Sequence, residues 1–129
     1  MSIQVIDNPL TQTYRRFKSD VMSSAFPWNY FHGDGASPAH YYHTILARPG
    51  FEEALMPTQQ SDWLNIANKV LLEIFMANEI KVKSVLRMVV NCTHETDGHT
   101  TPLHMDHNFE TNNIVCLLYT SDAADECHS

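Results

Sequence analysis

Residues 100–110 read TTPLHMDHNFE and place His104, Asp106 and His107 within four consecutive positions. Alternate side chains of a strand share a face, so His104 and Asp106 are expected to point one way, with Met105 and His107 pointing the other. One imidazole and one carboxylate on the same face can hold a metal ion at two adjacent corners. A second histidine from a distant strand would complete a facial triad of two histidines and one carboxylate, which suits Fe(II) and leaves positions open for other ligands. By spacing alone the same residues also fit a histidine-rich surface loop. His107 reads as structural or exposed. His94 and His99 flank Asp97 and Gly98 in a polar loop, THETDGHTTP, and read as solvated, although a loop beside a metal could help to hold a substrate. His40 and His43 fall on opposite faces of another strand and read as ordinary sheet positions.

The elements that would position these residues follow from pattern. IQVID, Ile3 to Asp7, alternates like a short strand. Asn8 can cap a helix that begins at Pro9 and runs to about Ser23, with Leu10, Tyr14, Phe17 and Val21 on one stripe. FPWNYFH reads as an aromatic strand, GDGASP as a loop, and HYYHTILA, His40 to Ala47, as a strand. RPGFEEALMPTQQ reads as irregular. The best helix starts at Ser61, where Trp63, Ile66, Ala67, Val70, Leu71 and Ile74 form a broad apolar stripe; Trp63 therefore belongs to the core. Lys69 and Glu73 form a four-apart pair on its wetter side. KVKSVLRMVVNC reads as a strand with Met88 and Val90 on one face and Val89 and Asn91 on the other. LHMDHNF begins a further one. Helices early and strands late predict an α+β class, with N-terminal helices packed on a mainly antiparallel sheet.

At 129 residues the chain is at most one domain. A net charge of −7 and the lack of any basic block argue against a nucleic-acid surface. No apolar run approaches membrane-spanning length, and the start, MSIQVIDNPL, has no export signal. Cys92, Cys116 and Cys127 lack metal or redox spacing, and an odd count without a signal reads as cytoplasmic thiols. Nothing in the sequence indicates an oligomeric state.

The tail CLLYTSDAADE, Cys116 to Glu126, matches a translated reading frame of a transposase-type sequencing adapter over eleven residues in register. On that reading natural sequence stops near Val115, and residues 116–129 are a non-native tail. The competing reading is a genuine strand, Ile114 to Tyr119, with an acidic end.

Taken in order, VIDNPL with its helix, FPWNYF, the long helix and LRMVVNCTHETDGHTTPLHMDHNF resemble Fe(II)/2-oxoglutarate-dependent oxygenases of bacterial viruses and marine metagenomes, which are similar to prolyl 4-hydroxylases. The resemblance implies a double-stranded β-helix, or jelly roll, incomplete here. It implies His104 and Asp106 as iron ligands and Asn91 as a residue facing the cosubstrate, 2-oxoglutarate. The implied activity is hydroxylation of an unactivated C–H bond in a small-molecule or peptide substrate. The family's distal histidine and basic cosubstrate anchor have no counterpart: the one histidine after His107 is His128, and no lysine or arginine follows Arg87. The expectation is therefore that residues 1–115 are the N-terminal part of a dioxygenase domain, inactive in this form. The alternative is a non-catalytic jelly-roll module, either a cupin-like binding domain or a viral structural protein.

Overall fold

The computed structural model describes residues 3–48, 56–94, 115, 116 and 118. In chain order these form α1 (Gln12–Val21), β1 (Asn29–Phe31), β2 (His40–Ala47), β3 (Thr58–Gln59), α2 (Leu64–Ala77) and β4 (Met88–Cys92).

α1 starts later than the sequence suggests. Asn8 Oδ1 accepts the Leu10 backbone N–H at 3.0 Å, which closes a tight turn, and Leu10 takes a left-handed φ of 51°. Leu10 thereby leaves the helix, and Thr11 becomes the N-cap, its Oγ1 accepting the Tyr14 N–H at 3.2 Å. The rest of the expected stripe holds, since Tyr14, Phe17 and Val21 are all buried. In α2, Ala67, Val70, Ile74 and Phe75 are buried, with Trp63 and Ile66 packed beside them. The helix ends through Glu79, which adopts a left-handed φ of 55°, while Ile80 N–H donates to Phe75 O at 2.9 Å and Glu79 N–H to Met76 O at 3.2 Å. This is a Schellman stop with glutamate where glycine is usual.

β2 is the centre of the sheet. Tyr42 pairs with Asn29 of β1 on one edge and with Asn91 of β4 on the other, and β3 joins the β1 edge farther along, at Leu46 and Ala47. Every pairing is antiparallel. A register shift between Thr44 and Leu46 lets Ile45 and Leu46 both be buried in place of strict alternation. Ile45 sits at the heart of the core, against Tyr14, Phe17, Val21, Phe26, Ala67, Val70 and Ile74. The helices thus cover the sheet face that carries His43 and Ile45.

The described residues form a small α+β fold with a four-stranded sheet and two helices. Several expectations change. Ile3 to Asp7 is not a strand: among the described residues no neighbouring strand pairs with it. Ile3 and Val5 are almost fully exposed, and Asn78 holds the end of the segment through Asp7 N–H to Asn78 Oδ1 (3.0 Å) and Asn78 Nδ2 to Asp7 O (2.7 Å). The strand predicted from Lys81 is formed only over Met88–Cys92. The sheet is open among the described residues, with β4 at one edge and β1 and β3 at the other, so the described strands do not close into a double-stranded β-helix. A second sheet would have to come from residues outside those described.

Candidate functional site

His43 is the most deeply placed histidine among the described residues. It lies on the helix-covered face of β2, opposite Val90, and is 7% exposed. Its ring is packed against Phe26, with centroids 4.7 Å apart, and edge-on to Trp63 at 5.8 Å; Phe26 in turn contacts Trp28 at 4.8 Å. Both ring nitrogens are occupied. Nδ1 is 3.0 Å from the Pro27 carbonyl oxygen, which can only accept, so Nδ1 carries the proton. In the neutral ring Nε2 then accepts from Ser61 Oγ at 2.7 Å, and Ser61 Oγ accepts the Trp63 N–H at 3.2 Å. Ser61 is itself buried, and stands three residues before Leu64, the first residue of α2. It forms part of a recess of about 390 Å³ with Gln59, Gln60 and Asp62. A hydroxyl, an imidazole base and a carbonyl that fixes the tautomer are therefore aligned.

A second, larger concavity lies between the helices. α1 contributes Gln12, Thr13, Arg16 and Asp20; Asp62 and Trp63, at the start of α2, with Asn65, Ile66 and Lys69 of α2 itself, complete a groove of about 490 Å³. Its rim carries two cations and two anions. Below it the helices are fastened by Glu73, which accepts from the Thr11 and Thr13 hydroxyls, the latter at 3.0 Å. This corrects the sequence reading of Glu73 as the partner of Lys69 on a solvated face.

The residues singled out in the sequence are distributed differently. His104 and Asp106, with His99 and His107, lie outside the described residues. Asn91 is exposed on β4, paired with Tyr42, on the sheet face away from the helices. His40 is on that same outer face, its ring 5.2 Å from Phe31, while Nδ1 is 2.9 Å from Pro38 O. His94 meets Tyr41 edge-on at 5.8 Å. His43 was read as an ordinary sheet position, and its pairing with Ser61 was missed. The only sequence signals were a histidine on the face of Ile45 and a serine beside a helix start, neither of which specifies the contact.

Comparison of the chain with protein-family models, curated proteins and solved structures found no match. Among the described residues no three His, Cys, Asp or Glu side chains converge closely enough to hold a metal ion. Together with the open sheet, these findings overturn the oxygenase resemblance. Fe(II) and 2-oxoglutarate are not supported as cofactors, nor is a dioxygenase activity: the described carboxylates and imidazoles are dispersed over the scaffold, and Asn91 is exposed on β4 with no metal-holding cluster among the described residues. Among the described residues, no helix is long and apolar enough to cross a membrane.

Proposed function

We propose that the chain is a non-catalytic binding module that works in the cytoplasm and takes a small polar ligand, or a short peptide segment, bearing both charges. The observation that carries this reading is the groove between α1 and α2. Arg16 and Lys69 line the same concavity as Asp20 and Asp62, and no ion pair closes among these four. A ligand with separated positive and negative groups would complement them, with its apolar part against Trp63 and Ile66. Cys92 and Cys116 are both free thiols, which suits a reducing compartment.

The test is an NMR titration of the whole chain with the dipeptide Lys-Glu. Shift changes confined to Arg16, Asp62, Trp63 and Lys69, lost in the Arg16→Glu/Lys69→Glu variant, are expected. No change, or changes centred on the outer sheet face around Tyr42, would overturn the assignment.

A further inference from the structure

We propose that Ser61 is a nucleophilic serine that accepts an activated acyl group, from an ester or thioester, with His43 as its base. This goes beyond the binding reading and does not depend on it. A serine hydroxyl is a weak nucleophile until a neighbouring base takes its proton, and activation requires the base within hydrogen-bond reach and held by a third group. All three parts are present: Oγ to Nε2 is 2.7 Å, Nδ1 is fixed by Pro27 O at 3.0 Å, and Phe26 and Trp63 hold the ring from two directions. The Trp63 N–H, 3.2 Å from Oγ, supports negative charge developing on that oxygen.

Purely structural pairing would explain the same hydrogen bonds but not the placement. Ser61 is 9% exposed and lines the recess with Gln59, Gln60 and Asp62, which is the side from which a reagent would reach it, whereas His43 does not line that recess. In the acyl step, Oγ attacks the carbonyl carbon and an Oγ–C bond forms. The bond to the alcohol or thiol leaving group breaks, and that group departs with the proton first taken by His43 Nε2. No redox change and no second reactant are needed. Nothing in the step requires the adduct to be released, so Ser61 acts as a covalent acceptor.

The experiment uses a fluorophosphonate probe on the whole chain, read by intact mass and peptide mapping. Here Oγ bonds to phosphorus, the P–F bond breaks, fluoride leaves and the proton passes through His43 to solvent. One adduct per chain, on Ser61, is expected, with Ser23, Ser37 and Ser84 unlabelled and Ser61→Ala inert. His43→Gln, checked for folding by circular dichroism, should label at least roughly a hundredfold more slowly, the scale of a lost general base. The wild-type rate should also fall in D2O, because the hydroxyl proton is in transfer as Oγ attacks, a readout that stands even if His43→Gln does not fold. Absence of a Ser61 adduct, equal labelling of the other serines, undiminished labelling in folded His43→Gln, or equal rates in H2O and D2O would each overturn the proposal.

Discussion

Single side chains decide whether the centre of this molecule is satisfied or strained. His43 and Ser61 each complete the other's hydrogen bonding, so removing one leaves a buried polar atom without a partner. Ser61→Ala strips the donor from His43 Nε2 and the acceptor from the Trp63 N–H. It should destabilise the fold by about 1–3 kcal/mol in urea unfolding. In a His43→Phe background the same change should cost less, because the orphaned nitrogen is gone; additive costs in a double-mutant cycle would show that the two side chains are not coupled. Cys116 gives a residue-scale pH effect. Burial pushes its thiol above the ordinary range, since the thiolate is the form that loses solvation. The unfolded chain therefore ionises first, and Cys116 favours folding below the ordinary thiol range and ceases to as pH rises through it. Iodoacetamide modification of Cys116 in the folded chain should show a more alkaline midpoint than in urea; coincident midpoints would remove this reading.

The elements depend on how their ends are held. Glu79 occupies a left-handed position that a β-carbon makes unfavourable by about 1–2 kcal/mol. Glu79→Gly should therefore stabilise the chain by up to about 1 kcal/mol, visible as a higher thermal midpoint. A lower midpoint would mean that the glutamate side chain contributes more than its backbone strain costs. Between the helices, Glu73 is the shared acceptor for Thr11 and Thr13. Glu73→Ala should loosen α1 from α2 by about 1–2 kcal/mol, with amide exchange accelerated in α1 before β2. Uniform acceleration across the sheet would point instead to global unfolding. The helix stripes were legible because a 3.6-residue period of large apolar side chains leaves few other ways to bury them. The start of α1 was less so, because Asn8 and Thr11 are both acceptable caps and the turn at Leu10 chooses between them.

The described residues form two helices laid on one face of an antiparallel sheet, with Leu118 half-buried against the same core. That contact bears on the tail reading. If residues 116–129 are adapter-derived, Leu118 packs there as an apolar side chain that finds a surface, and it still contributes. Deleting residues 116–129 should then cost roughly 1–2 kcal/mol, below the 2–5 kcal/mol of a fully buried leucine, and Leu118→Ala should reproduce most of the loss. A much greater loss on deletion than on Leu118→Ala would show that the tail holds the fold by further contacts.

The sequence by itself determined β2 to the residue, most of the buried stripe of each helix and the face of β4 that carries Met88 and Val90. These depend on local period and composition, which need no knowledge of distant neighbours. Tertiary structure decided the rest. The Ile3–Asp7 segment alternates like a strand yet has none to pair with among the described residues, and the strand expected from Lys81 shortens to Met88–Cys92. His43 meets Ser61 eighteen residues away, and Glu73 meets Thr11 and Thr13 from the other helix sixty or more residues off. Such pairings follow from how β2 and α2 cross in space. The His104 and Asp106 spacing that suggested a metal site carried no such long-range information, because a coordination shell needs partners that local spacing cannot place.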